Sequence, residues 1–234
     1  MKGLKQWWQN FRGGQDQKVA NYPEWFQSYR EQYASPPKDT QVADQRFVIF
    51  DTETTGLNPQ KDRLLSIGAV RVLNNRILVK QTFSCYLDPE LARKKTDAVS
   101  IHGLLPGAEG RDYHTEIKAL TAFLAWLGND VLVAHHLTFD VSMINHSLLR
   151  NGAGKLQNVG IDTVDLAKQL NPTGYWTPDD AYTLDHLARR YRIPLSDRHT
   201  AVGDSYITAV LFLKLIHRLS ERRGRGLRLE DIGA

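Results

Sequence analysis

The chain has 234 residues, 41% of them hydrophobic, with a single cysteine and a formal net charge of +4. That length and apolar share allow a substantial core, one thiol excludes an intramolecular disulfide or a multi-cysteine zinc site, and the positive balance suits a polyanionic partner. The longest aliphatic and aromatic run, about residues 209–213, is far short of the roughly 18 to 20 residues of a membrane span, and the polar stretch after Trp7 and Trp8 is no signal core. The expectation is a cytoplasmic protein with no membrane contact.

Residues 1–45 form an aromatic-rich extension that holds Trp7, Trp8 and Trp25. Tyr22, Trp25, Phe26, Tyr29 and Tyr33 fall at i, i+3, i+4, i+7 and i+11, one stripe of a helix opened by Pro23. Such a stripe must be covered, either by the chain's own main domain, by a partner protein, by a second copy, or by stacked single-stranded bases. Ser35-Pro36-Pro37 marks residues 34–45 as a linker. The main domain is expected over residues 46–222, followed by a basic tail over 223–234.

From Arg46 the pattern is α/β. Phe47, Val48, Ile49 and Phe50 read as a strand buried on both faces, and it runs straight into Asp51 and Glu53. Side chains alternate along a strand, so these two acids share the face of Phe47 and Ile49. Buried like charges need a positive partner, and a hard divalent cation is one answer; a strand that simply ends in a polar turn is the other. Leu64 to Leu73 and Arg76 to Leu87 read as a hairpin about Asn74-Asn75, His114 to Leu127 as a helix, and Val131 to His135 as a short buried strand. Asp140 to Arg150 follows as a helix, Val159 to Asp162 as a strand, and Thr183 to Tyr191 and Gly203 to Arg222 as helices. This order predicts a mixed five-stranded sheet flanked by helices on both faces.

Two helices carry an acid on the apolar stripe. Asp140 shares a face with Met143, Ile144, Ser147 and Leu148, and Asp204 shares one with Ile207, Thr208, Leu211 and Phe212. Either acid alone would pass for a helix-capping aspartate. Together with Asp51 and Glu53 they make an oxygen-ligand set suited to Mg²⁺ or Mn²⁺. His199, five residues before Asp204, is placed on the loop entering the last helix, where Gly203 lets the backbone come close; it is a candidate general base or a solvated surface histidine. Arginines at 189, 190, 192 and 198, and Arg93-Lys94-Lys95, offer phosphate contacts if they converge on the acids and a solvated face if they do not.

Asp51-Thr-Glu53, the run Ala134-His135-His136-Leu-Thr-Phe139-Asp140, and His199-x4-Asp204 resemble, in order and spacing, the three motifs of the DEDDh exonuclease family, which contains the epsilon proofreading subunit of bacterial replicative polymerase. Ile101-His102-Gly103 and Leu184 to Tyr191 are similar to the family between its motifs. The likeness spans about residues 46–221. It implies an RNase H-like fold and hydrolysis at nucleic-acid 3′ ends, with release of nucleoside 5′-monophosphates and two Mg²⁺ or Mn²⁺ ions per site. By the same resemblance Asp51, Glu53 and Asp204 hold metal, Asp140 completes the cluster through water, and His199 takes the proton of the nucleophile. Thr54, Thr55, Gly56 and His102 line the pocket of the terminal nucleotide. Family members commonly have asparagine where this chain has His136, and the two histidines read as a polar pair at a strand end ahead of metal ligands. DNA is the favoured substrate. RNA 3′ ends remain an alternative, as does a non-catalytic module that binds nucleic acid or protein.

Overall fold

The computed structural model describes residues 21–33, 40–88, 112–172, 178 and 180–233. Its centre is strand β1 (Phe47–Thr54), flanked by antiparallel β2 (Leu64–Leu73) and parallel β5 (Val131–Ala134). β3 (Arg76–Leu87) pairs with β2, β4 (Tyr113–His114) with β3, and β6 (Gly160–Asp162) with β5, giving the order β4-β3-β2-β1-β5-β6. The helices are α1 (Glu24–Gln32), α2 (Glu116–Leu127), α3 (Leu137–Arg150), α4 (Thr163–Leu170), α5 (Leu184–Arg190) and α6 (Ala201–Arg223).

Alternation along β1 divides the core in two. Phe47 and Ile49 point into a cluster built with α4, α5 and α6. Val48 and Phe50 point into another built with α1, α2 and α3. Edge-on contact of Phe47 with Phe212 closes the first, and Phe50 meets Phe123 in the second. A strand covered on both faces has little room for charge along its buried length, so its carboxylates gather at its C-terminal end, past the last residue paired with β5.

The sheet has six strands, where the sequence pattern predicts five. The addition is β4, whose two residues pair in parallel with Tyr86 and Leu87 at the end of β3. Two residues are too few to show an alternating pattern, and His114, expected in a helix, is a strand residue; Thr115 caps α2 just after it, its hydroxyl accepting from the Lys118 N–H. The hairpin is as expected: Asn74 and Asn75 both have positive φ, 52° and 56°, the signature of its tight turn.

Described residues on either side of the sheet-forming region, 21–33 and 224–233, pack against it. Phe26 and Tyr29 of α1 are buried, and the Tyr29 hydroxyl donates to Asn158 Oδ1 (2.6 Å) and accepts from the Gln157 N–H (2.7 Å). Of the covers open to the aromatic stripe, the chain's own domain is the one found. Leu227, Leu229 and Ile232 join the α6 cluster. There the chain at Thr40 and Val42 exchanges backbone hydrogen bonds with Leu227 and Leu229, beside a single β-bridge between Gln41 and Arg228. No described helix is long and apolar enough to cross a membrane.

Candidate active site

The site forms where β1 runs out and α6 begins. Asp51 pairs across the ladder with Gly68 of β2, and Glu53 with Ser66. A side chain at Gly68 would put its Cβ 2.2 Å from the carbonyl carbon of Ala201 and from the amide nitrogen of Val202. Glycine there lets the first turn of α6 lie directly on the sheet, opposite Asp51. At Gly203 a Cβ would lie 2.1 Å from the carbonyl oxygen of Asp197, so the loop before the helix folds tightly over the helix start. Thr200 caps α6 by accepting from the Gly203 N–H (3.0 Å).

These approaches bring carboxylate oxygens of Asp51, Glu53 and Asp204 within 4.8 Å of one another. Glu53 and Asp204 are buried and Asp51 is half-buried. Burial first, then the charges of Asp140, Asp204 and Glu53, push the Asp51 carboxyl well above the ordinary carboxylate range. Asp204 is pushed up to about 6, by burial above all, with the Arg198 guanidinium pulling the other way. Its Oδ1 is buried with no hydrogen-bond partner. Three converging carboxylates, two of which resist ionisation by themselves and one of which keeps an unsatisfied oxygen, fit a divalent cation, whose charge would favour their ionised forms.

Asp140, in the first turn of α3, is placed differently. Its Oδ1 accepts from the Thr52 N–H (3.0 Å) and the Thr52 hydroxyl (2.7 Å), between the two acids of β1 but from the opposite face of the strand. Burial raises it to about 7 against those two hydrogen bonds. His199 is exposed on the loop, with φ 65°, and stands just outside α6, where the sequence places it. Its proximity pulls the Asp204 carboxyl down, against the effect of burial. Thr54, Thr55 and Gly56 follow the acids into a turn fastened by Asp62, which accepts from the Thr55 hydroxyl (3.1 Å) and the Asn58 N–H (2.8 Å). His102, expected to line the same pocket, lies outside the described residues, as does Arg93-Lys94-Lys95.

The paired histidines are a polar pair. His135 Nδ1 lies 2.8 Å from the Thr163 hydroxyl, burial holds its ring down at about 3, and it packs edge-on against His136. His136 sits in the left-handed region at φ 65°, which asparagine and histidine tolerate better than most side chains. Its N–H and that of Leu137 donate to Asp162 (3.1 and 3.0 Å), which also accepts from Val164 (2.9 Å), so one carboxylate caps both α3 and α4. The sequence reading missed Asp162, α4 and Gly68. A glycine inside a β-rich run is a signal of close approach, and an acid directly before a helix is a signal of a cap.

A central strand ending in two acids, met by a third from a crossing helix on a mixed sheet, defines an RNase H-like fold with an acidic site. The family profile described as Exonuclease matches residues 48–212, and the chain belongs to that family. It is 31% identical over 191 residues to PolC-type DNA polymerase III of Staphylococcus aureus, a match over 80% of this chain and 12% of that protein. The chain therefore spans about an eighth of the length of the curated relatives it matches. Among solved structures it resembles Escherichia coli exonuclease I in a zinc-bound complex with single-stranded DNA (TM-score 0.60, 21% identity, 77% of this chain and 43% of that one). It also resembles the same enzyme with a dT13 oligonucleotide (TM-score 0.62, 19% identity, 77% and 43%).

Proposed function

We propose that this chain removes nucleoside 5′-monophosphates from DNA 3′ ends by hydrolysis, using two Mg²⁺ or Mn²⁺ ions held at Asp51, Glu53 and Asp204. The observation that carries the reading is the convergence of those three carboxylates beside an exposed loop histidine. When bound, the ions supply charge stabilisation to the attacking and leaving oxygens and make water easier to deprotonate. Asp51 and Glu53, fixed by the central strand, and Asp204, fixed by α6, set the ion positions without needing to reorganise. His199 accepts the proton of the attacking water and passes it to solvent, a task its exposure suits. Asp140 completes the cluster through water, and Thr54, Thr55 and Gly56 hold the terminal nucleotide on the turn that Asp62 fastens.

DNA is proposed as the substrate because the relatives are named as a DNA polymerase and as an exonuclease in complex with DNA. The test is degradation of 5′-labelled single-stranded DNA and RNA oligomers of one sequence, with Mn²⁺ or Mg²⁺ and then with chelator, beside Asp51→Ala. The expected result is a DNA ladder shrinking from the 3′ end, lost with chelator and with the substitution. Faster loss of RNA would move the substrate to RNA, and no cleavage by a protein that binds no metal would overturn the reading.

A further inference from the structure

Immediately before His199, Arg198 reaches back into the acids. Its Nε donates to Asp185 Oδ1 on α5 (2.6 Å), and its Nη1 forms an ion pair with Asp204 Oδ2. The guanidinium thus spans two helices. Asp185 is the solvent-facing end of this bridge and Asp204 the buried end, with side-chain exposures of 36% and 6%. We propose that Arg198 is a positioning residue, a built-in counter-cation that props the His199 loop against the acidic cluster while leaving Oδ1 of Asp204 to the metal. The proposal rests on the metal reading above.

Two features of the geometry support it. A planar fork with several donors can engage two carboxylates at fixed angles, which a flexible ammonium does poorly. The residues on either side of Arg198, Asp197 and His199, both have positive φ, 56° and 65°. Such a backbone path is held by its surroundings: the Thr200 hydroxyl donates to the Asp197 carbonyl (2.8 Å), and the Arg198 guanidinium ties the loop to both α5 and α6. The charge and the anchor then act in opposite directions. The charge repels an incoming divalent cation and keeps the acids from repelling one another before metal arrives. The anchor holds the histidine where it can accept a proton. A residue that merely supported the site would weaken metal binding and turnover together when replaced.

The test is Mn²⁺ titration of the full chain, followed by electron paramagnetic resonance, alongside turnover at saturating Mn²⁺ and thermal unfolding in chelator. Arg198→Gln is expected to bind Mn²⁺ roughly three- to tenfold more tightly, because a unit charge beside the site has gone, and to turn over slower by on the order of tenfold or more, because the histidine loop has lost its prop. Arg198→Lys keeps the charge and should restore the affinity to near that of the wild type without restoring the rate. Asp185→Asn keeps the Arg198 charge and loosens the anchor, so it should slow turnover without tightening Mn²⁺ binding. Arg198→Gln with affinity equal to or weaker than the wild type would overturn the inference. Should that variant not fold, Asp185→Asn turning over at the wild-type rate overturns it instead. Failure of the wild type itself to bind Mn²⁺ is a separate outcome, since it removes the metal reading along with everything built on it.

Discussion

Asp140 at the start of α3 and Asp204 at the start of α6 are both buried aspartates in the first turn of a helix, reaching β1 from its two faces. The protein satisfies one and not the other. Asp140 accepts two hydrogen bonds from Thr52, whereas Asp204 keeps a buried oxygen without a partner and shares its space with Asp51 and Glu53. Two acids with the same local helical pattern therefore differ in what they lack, and a carboxylate completed by its own chain serves the fold as much as the chemistry. What lacks a partner at Asp204 is Oδ1, since Oδ2 is paired with Arg198.

The largest expected consequence of that difference is in metal binding. Asp204→Asn should abolish Mn²⁺ binding and, with it, several kcal/mol of transition-state stabilisation, roughly 10⁴-fold in rate; Asp140→Asn, which keeps an oxygen for Thr52, should still bind Mn²⁺. Equal loss of metal in both, measured by titration, would erase the distinction. His199→Ala should lower turnover by about 10² to 10⁴ while metal affinity and stability stay as they were, because the side chain is exposed. Full activity in that variant would remove its assigned role.

Stability should divide the two aspartates in the reverse sense. Asp140→Ala leaves the buried N–H and hydroxyl of Thr52 without their acceptor, at about 1–3 kcal/mol, while Asp204→Ala in chelator removes a source of repulsion and should cost less. Denaturant unfolding of the two variants reads this directly. The pH dependence sharpens it further. Asp140 holds its proton up to about 7 in the folded protein against an ordinary 3.8, so its contribution to stability is present in acid and is lost as pH rises through that value. His135, held down at about 3 against 6.5, acts in the opposite sense, but its contribution is complete above its ordinary value. Between pH ~6.5 and ~8 the chelated protein should therefore lose up to about 1 kcal/mol through Asp140, beside losses of the same sign through the raised Asp51 and Asp204, and Asp140→Asn should make the slope shallower. The smallest effect is expected at His136→Asn, a few tenths of a kcal/mol toward greater stability, since asparagine suits the left-handed conformation at least as well; clear destabilisation would mean that the His135–His136 ring contact matters more than the backbone.

The acids of β1 were legible in the sequence because alternation along a buried strand is a strict rule, and the helical stripes pointed Asp140 and Asp204 inward for a similar reason. Their unequal surroundings were not legible. That Thr52 lies against Asp140 depends on α3 crossing the face of β1 opposite α6, a tertiary fact that no local period encodes. β4 escaped because two paired residues have no pattern, and α4 because its eight residues follow directly on β6, where Asp162 ends one element and caps the next. Arg198 was visible only as one of several nearby arginines; the contact with Asp185 that distinguishes it joins residues thirteen apart across a turn.

The short pairing between residues 40–42 and 227–229 has a consequence for how such a unit is carried by a larger polypeptide. The chain enters and leaves this part of the fold side by side, on hydrogen-bonded neighbours, so a host protein can accommodate it as an insertion without parting its own flanking segments. Portability of that kind accords with a match that fills 80% of this chain and only 12% of the relative's length.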